Sequence, residues 1–197
     1  MNARVVAVYN RKGGTGKTTL TLAAAGAAAR AGARVLLLDA DPAQDAATVA
    51  ADWDGVRAEE WRAGWRAEGI AEDVDLVLID CPPEYPTPKA VFDAELVVVP
   101  VTPEPLAVRR LASVVATLEA PYVVVVNGYY QGASTTAVLK ELSDLLGDQL
   151  WLPPIPRRTV FPRAQETATP VQAFRGRPAE VLESTAALAA RMLTWAP

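Results

Sequence analysis

Two lysines lie within one glycine-rich stretch near the start of this 197-residue chain, which reads NRKGGTGKTTL and contains Lys12 and Lys17. Glycines allow a backbone to wrap closely around phosphate oxygens with its amide N–H groups pointing inward. The Gly-Lys-Thr triplet is typical of a loop whose lysine neutralises the terminal phosphates of a nucleotide and whose threonine hydroxyl binds Mg²⁺. We therefore predict a nucleotide phosphate site formed by Gly13, Gly14, Thr15, Gly16, Lys17, Thr18 and Thr19.

Three aspartates end apolar runs of strand length. Asp80 ends DLVLID, where a carboxylate can hold the shell of a Mg²⁺ ion together with Thr18. Asp39 and Asp41 end RVLLLDAD, and Asp39 could either support the metal shell or cap the strand end. The chain contains no histidine, which excludes Ser-His-Asp and Cys-His catalysis. Phosphoryl transfer is compatible with so sparse a set, because it depends mainly on positioning and charge neutralisation.

The elements that must position these residues alternate along the chain. Helix-length segments lie between short apolar runs that resemble strands buried on both faces, a pattern typical of a parallel sheet covered by helices. We predict an α/β fold with an open, doubly wound, mostly parallel sheet and helices on both faces, as one domain over residues 1–197. The expected strands are 4–9, 34–39, 75–80, 95–100 and 122–127, and the expected helices are 17–31, 104–118, 135–146 and 178–195.

Composition and charge limit the cellular compartments and the binding partners that can be expected for this protein. No apolar run reaches membrane-spanning length and no export signal is visible, so we expect a cytoplasmic protein without membrane association. The single cysteine, Cys81, excludes an internal disulfide. The net charge is −4, yet residues 151–197 hold six arginines against three glutamates, a balance of +3. Such a segment could hold DNA, although charge alone favours ordinary solvated arginines.

The lysine spacing departs from the general phosphate-loop pattern, because position 11 holds arginine where that pattern has glycine. The sequence Lys-Gly-Gly-x-Gly-Lys-Thr resembles the deviant Walker A motif of the ParA/MinD ATPase superfamily. VLLLDADPAQ (35–44) and LVLIDCPP (76–83) are similar to that family's second motif and Walker B strand. The resemblance covers nearly the whole chain, most weakly at 45–72 and 128–150. It indicates a small ParA-type P-loop ATPase, expected to lack an N-terminal helix-turn-helix domain because nine residues precede Asn10.

The resemblance implies roles for individual residues. Lys12 would reach across a dimer interface to the phosphates bound by the other subunit, so that ATP assembles a homodimer. Asp41 would orient or activate the attacking water, which makes Lys12, Lys17 and Asp41 the expected catalytic residues. Asn127 would contact adenine, and the loop around Pro156 would close the pocket. Asn127 precedes Gly-Tyr-Tyr rather than the Lys-x-Asp of GTPases, so ATP with Mg²⁺ is the expected cofactor pair.

The resemblance also implies partners. ParA-type proteins bind non-specific DNA as ATP dimers and are therefore nucleoid-associated in that state. A ParB-like centromere-binding or cargo-adaptor protein releases them by stimulating hydrolysis, and this cycle segregates or positions a plasmid, a chromosome region or another cargo. The expected DNA contacts are arginines of the basic segment: Arg157, Arg158, Arg163, Arg175 and Arg177.

Two other functions stay open. A small-molecule ATP-dependent ligase or kinase similar to dethiobiotin synthetase has the same fold, but such enzymes generally lack a second lysine like Lys12. A MinD-like membrane-associated positioning ATPase would need a basic terminal helix, whereas Arg191 is the only basic residue of the segment AEVLESTAALAARMLTW. A substrate pocket facing the phosphates inside one subunit would favour the ligase. A flat, self-complementary face around Lys12 would favour partition.

Overall fold

The computed structural model describes residues 3–62, 65, 73–83, 91 and 94–196. The strands within these ranges are β1 (Arg4–Val8), β2 (Val35–Asp39), β3 (Val56–Glu60), β4 (Leu76–Asp80), β5 (Leu96–Val101), β6 (Tyr122–Tyr129) and β7 (Leu150–Pro156). The α-helices are α1 (Lys17–Arg30), α2 (Asp45–Ala50), α3 (Pro105–Val115), α4 (Ala133–Leu146), α5 (Val160–Glu166) and α6 (Ala179–Thr194).

The described strands form one sheet in the order β3-β2-β4-β1-β5-β6-β7, and every neighbouring pair is parallel. The predicted open α/β sheet is confirmed, and it is parallel throughout rather than mostly parallel. β1 lies in the middle, with β2 to β4 on one side and β5 to β7 on the other. The carboxyl end of β1 is therefore a topological switch point, the place where sheets of this kind bind their ligands.

Helices cover both faces of the sheet, as the continuous apolar strands require. Alternate strand residues such as Val8 and Leu37 pack under α1 and α6, whereas their neighbours such as Val5 and Leu36 belong to the core beneath α3 and α4. Helix α6 buries Leu188 among the first set, so the C-terminal helix packs on the sheet. Within the described ranges, no helix combines the length and the apolar character that a membrane span requires.

Two strands and two short helices lie outside the predicted elements. β3 has the sequence VRAEE and buries one residue of five, because it is an edge strand with little core to cover. β7 has the sequence LWLPPIP and forms the opposite edge, where proline is tolerated since the described part of the chain places no strand on its outer side. α2 and α5 are six and seven residues long, too short to show a helical hydrophobic period.

Candidate functional site

The glycine-rich stretch forms the connection from β1 to α1, which we call the phosphate loop (residues 10–16). Gly14 and Gly16 have φ angles of 74° and 84°, in the left-handed region that favours glycine. A Cβ atom on Gly13 or Gly14 would meet no other atom within 4 Å, whereas one on Gly16 would lie 2.0 Å from Nδ2 of Asn127. The loop therefore presents bare backbone to open space on one side and packs tightly against β6 on the other.

A cleft of about 470 Å³ lies over this loop. Its lining includes residues of the phosphate loop together with Lys17, Thr18 and Asp41. Gln165 and Glu166 of α5 form part of the wall. The cleft thus brings the predicted phosphate-binding residues together with one predicted catalytic carboxylate and with a helix that the sequence pattern did not single out.

Lys17 is the first residue of α1 and is 7% exposed. Burial lowers the pKa of its ammonium group, and the carboxylates of Asp80 and Asp41 oppose that shift. The amino end of α1 adds the partial positive charge and free amide donors of a helix N-terminus. A buried cation beside the amino end of a helix is an arrangement that can bind an anion, and the phosphate site expected from the lysine and glycine spacing stays a prediction.

Asp80 lies at the end of β4, next to the start of α1, and is 1% exposed. The hydroxyl of Thr18 donates to Asp80 Oδ2 at 2.7 Å, and that of Thr21 lies 3.0 Å from Oδ1. Burial, together with the nearby carboxylate of Asp39, raises the pKa of the Asp80 carboxyl to about 7, although the hydroxyls of Thr18 and Thr21 and the charge of Lys17 oppose the rise.

These oxygen atoms fit a magnesium ion. Mg²⁺ prefers hard oxygen ligands and is commonly held by one or two protein groups together with substrate phosphates. Thr18 and Asp80 supply a hydroxyl and a carboxylate within hydrogen-bond distance of each other, and Thr18 lines the cleft over the phosphate loop. The residues present therefore match the sparse donor set of a magnesium–nucleotide site.

Asp39 is occupied by backbone contacts. Its Oδ1 accepts the N–H of Asp41 at 3.0 Å and its Oδ2 accepts the N–H of Ala47 at 2.9 Å, which ties the end of β2 to the first turn of α2. Burial raises the pKa of Asp39, and these backbone hydrogen bonds oppose the rise. The geometry supports the capping alternative for Asp39, and its role in the metal shell stays a prediction.

Asp41 lies in the turn that leads from β2 to α2, on the wall of the cleft. Its Oδ1 accepts the N–H of Ala43 at 3.0 Å, and its backbone carbonyl accepts the N–H of Gln44 at 2.9 Å. Gln44 has a φ of 53°, an unusual value for a residue with a side chain. These contacts fix a carboxylate at the rim of the predicted phosphate site, where a group acting on water would have to lie.

The side chain of Lys12 forms an ion pair with a carboxylate. Its Nζ lies 3.0 Å from Oε2 of Glu104, directly before α3, and the two side chains are 37% and 58% exposed. The hydrogen bond from Lys12 lowers the pKa of Glu104. The backbone at Lys12 is fixed by the buried side chain of Asn10, whose Oδ1 accepts the Lys12 N–H at 2.9 Å and whose Nδ2 donates to the carbonyl of Pro100 at 2.8 Å.

Asn127 holds the phosphate loop from β6. Its Nδ2 donates to the carbonyl of Thr15 at 2.9 Å. Pro156, the other residue predicted near adenine, ends β7, and the N–H of Arg157 after it donates to the carbonyl of Tyr129 at 2.6 Å. Asn127 and the start of the basic segment are therefore joined through β6, and their contact with adenine stays a prediction.

The predicted DNA-binding arginines differ in their surroundings: they are Arg157, Arg158, Arg163, Arg175 and Arg177. Arg158 forms an ion pair with Glu180, and the guanidinium of Arg163 lies 5.9 Å from the centroid of the Phe174 ring. Arg177 is half-buried and donates to the carbonyl of Phe174. The other two are exposed, and among the described residues no salt bridge engages either of them.

Helix α5 connects this basic segment to the first turn of α1, directly after the phosphate loop. Gln165 Nε2 donates to Oγ1 of Thr19 at 3.0 Å, and Arg163 lies exposed on the same short helix. The two partners are 146 residues apart in sequence, so no spacing rule could have linked them. Thr19, one of the predicted phosphate-site residues, is thus in direct contact with the segment that carries the predicted DNA contacts.

Fold and site together define a P-loop nucleotide-binding protein, with a glycine loop at the switch point of a parallel sheet and a buried lysine opening the following helix. The chain belongs to the family described as the CobQ/CobB/MinD/ParA nucleotide binding domain, whose model matches residues 6–171. The predicted membership of the ParA/MinD superfamily is confirmed.

Relatives and solved structures agree with this placement. The chromosome-partitioning ATPase Soj of Thermus thermophilus is 34% identical over 157 aligned positions, covering 59% of this chain and 61% of Soj. The chromosome partitioning protein ParA of Caulobacter vibrioides is 26% identical over 229 positions, covering 85% and 86% of the two chains. The MinD cell division protein of Aquifex aeolicus shares the fold with a TM-score of 0.77, 20% identity and 99% coverage of both chains. The match to Soj thus spans about three fifths of that protein's length.

Proposed function

We propose that this chain is an ATPase that forms a homodimer with ATP, binds non-specific DNA in that state and segregates or positions a cargo. The observation that carries the proposal is a second lysine, Lys12, in a phosphate loop that already has a buried lysine beside its cleft. The names of two relatives, a chromosome-partitioning ATPase and a chromosome partitioning protein, support the same reading.

The residues of the cleft have separate roles in ATP hydrolysis. Lys17 and the amides at the start of α1 bind the phosphates, and Thr18 and Asp80 are the residues that would hold Mg²⁺. When bound, Mg²⁺ would neutralise charge on the β- and γ-phosphates. Asp41 orients the attacking water from the rim of the cleft. Because no histidine is available as a general base, intrinsic turnover is slow, and a ParB-like or cargo-adaptor partner accelerates it.

The charge of the bound triphosphate favours a contact from Lys12 of the other subunit. A nucleoside triphosphate carries about four negative charges, and one Mg²⁺ with one lysine leaves some of them uncompensated. The Lys12–Glu104 pair is exposed, and such pairs contribute only about 0–1 kcal/mol. Lys12 can therefore exchange Glu104 for the phosphates of a second subunit at little cost. Dimerisation then depends on the nucleotide, and hydrolysis weakens the dimer.

DNA binding follows from the same switch. Dimerisation doubles the number of exposed arginines in the basic segment, and arginines that neutralise phosphates give binding that is independent of sequence and strongly dependent on salt. The contact between Gln165 and Thr19 connects α5 to the first turn of α1, which follows the phosphate loop and contains Lys17 and Thr18. DNA affinity is thereby coupled to the nucleotide state.

Replacement of Arg157 by alanine is expected to weaken binding of the ATP-analogue form to any DNA sequence equally. The plot of log affinity against log salt should become less steep by roughly two, because a dimer loses two phosphate contacts. Arg158→Ala is the matched neighbour and should have a smaller effect, since Arg158 is already paired with Glu180. Fluorescence anisotropy with two unrelated duplexes at several salt concentrations measures both, with ATP turnover as the check on folding.

Two results would contradict the DNA part of the proposal. Unchanged affinity and salt slope in Arg157→Ala would remove the basic segment from the DNA face. If the analogue form binds no duplex but binds vesicles containing anionic lipid, the function is that of a membrane-associated positioning ATPase instead.

A further inference from the structure

Thr21 lies on α1, four residues after Lys17, and its side chain is fully buried. Its hydroxyl lies 3.0 Å from Asp80 Oδ1 and 3.1 Å from the carbonyl oxygen of Lys17. A hydroxyl carries one proton and donates to one acceptor at a time. An ionised carboxylate is the stronger of the two acceptors, because charge-assisted hydrogen bonds are about twice as strong as neutral ones.

The two oxygens of Asp80 are held by two hydroxyls of the same helix. Thr18, whose hydroxyl is a predicted magnesium ligand, contacts Oδ2, and Thr21 contacts Oδ1. Rotation of a carboxylate about its terminal bond is otherwise only weakly restricted. A hydroxyl on Oδ1 therefore fixes the plane of the carboxylate, and with it the direction in which Oδ2 faces.

We propose that Thr21 is a positioning residue for magnesium, which holds the Asp80 carboxylate so that its Oδ2 and the Thr18 hydroxyl face the ion bound with the nucleotide. Thr21 touches neither the nucleotide nor the ion and acts through Asp80. The inference rests on the proposed magnesium–nucleotide site and adds a residue to it that the phosphate-loop pattern does not contain.

If the Thr21 hydroxyl only stabilises its own helix, a different experimental result is expected. Threonine within a helix often donates to the carbonyl four residues earlier, without any function beyond the helix. Thr185 of α6 makes the same local hydrogen bond, fully buried and 2.7 Å from the carbonyl of Val181, and its hydroxyl also accepts from Nε2 of Gln172 at 3.2 Å rather than donating to a carboxylate. A local role would change the stability of α1 in the same way with and without magnesium. A positioning role would change only what depends on magnesium.

The test measures the affinity for a non-hydrolysable ATP analogue across a Mg²⁺ titration and in excess EDTA. Thr21→Val keeps the shape of the side chain and removes the hydroxyl. It should raise the Mg²⁺ concentration at half-maximal effect by about 10- to 100-fold, the usual cost of losing an outer-shell partner of a metal ligand. Affinity in EDTA should change by less than about twofold. Thr21→Ser should restore the wild-type titration, and Thr185→Val should leave it unchanged.

The outcomes show separately whether the positioning role of Thr21 or the proposed magnesium site is wrong. If the wild-type protein binds the analogue equally with and without Mg²⁺, the magnesium site itself is wrong. If wild type depends on Mg²⁺ and Thr21→Val has the same titration, only the positioning role is overturned. A loss of affinity that is equal in Mg²⁺ and in EDTA assigns Thr21 a local structural role and also overturns it. Thr21→Ala gives the same comparison if Thr21→Val does not fold.

Discussion

Lys17→Ala is expected to weaken binding of ATP by about 10- to 150-fold, the equivalent of 1.5–3 kcal/mol for a hydrogen bond to a charged group. The side chain is buried beside the phosphate loop and lines the cleft, so its ammonium group loses little hydration when it contacts a phosphate. Titration calorimetry with an ATP analogue and Mg²⁺, at protein concentrations too low for dimerisation, measures the loss.

Lys140→Ala is the matched control for this change. It removes the same charge from an exposed ion pair with Asp144 on α4, and binding should stay within about twofold of wild type. Because Lys17 also offsets the carboxylates of Asp80 and Asp41, the thermal unfolding of the variant must be recorded beside its affinity. Tight binding of ATP by folded Lys17→Ala protein would show that the phosphates lie elsewhere.

Asp41→Ala should hydrolyse ATP about 100-fold or more slowly while it still binds ATP and dimerises. A positioned base or water-orienting group contributes about 10²–10⁴-fold to a rate, and Asp41 is the carboxylate fixed at the cleft rim by its turn. Single-turnover release of phosphate, measured with and without DNA, gives the rate of the chemical step apart from product release.

Asp41→Asn separates chemistry from structure. The amide oxygen can still accept the N–H of Ala43, so the turn between β2 and α2 keeps its contact while the negative charge is lost. Both variants should be slow if the carboxylate acts on water. A normal rate in Asp41→Asn with a slow Asp41→Ala would mean that Asp41 only holds the turn, and normal rates in both would remove it from the mechanism.

The sequence was sufficient for the parts of the site that are local. The phosphate loop, the start of α1 and the strand ending at Asp80 follow from short stretches whose chemistry and periodicity agree. The contacts of Lys12 with Glu104 and of Thr19 with Gln165 join residues 92 and 146 positions apart, and only the folded sheet brings them together. Asp39 shows a second limit, because a carboxylate after a strand has the same pattern whether it binds a metal or backbone amides.

Edge elements were missed for a related physical reason. Periodicity reports burial, and β3 buries one of its five residues, so it leaves a weak signal. β7 contains prolines, which weaken the pattern of a strand, although an edge strand can accept them where it needs no donor. Asn10, by contrast, was recognisable in the sequence as a polar residue that directly follows a buried strand and precedes the glycines. Its hydrogen bonds to Lys12 and Pro100 now explain why the loop starts there.

The exposed Lys12–Glu104 pair provides the control for the trans role of Lys12. Lys12→Ala removes both the internal ion pair and the lysine proposed to reach the other subunit. Glu104→Gln removes the ion pair and leaves Lys12 free to do so. Loss of dimerisation in both variants would assign the effect to the pair within one subunit, whereas loss in Lys12→Ala alone assigns it to the reach across the interface.

The most direct test is the mass in solution of wild type, Lys12→Ala and Glu104→Gln, each with ADP and with a non-hydrolysable ATP analogue, by light scattering. The proposed switch predicts 20.9 kDa for every protein with ADP, and twice that mass with the analogue for wild type and Glu104→Gln but not for Lys12→Ala. A mass that does not respond to the nucleotide in wild type, or a dimer of Lys12→Ala as stable as that of wild type, would contradict it and direct the search toward a small-molecule substrate.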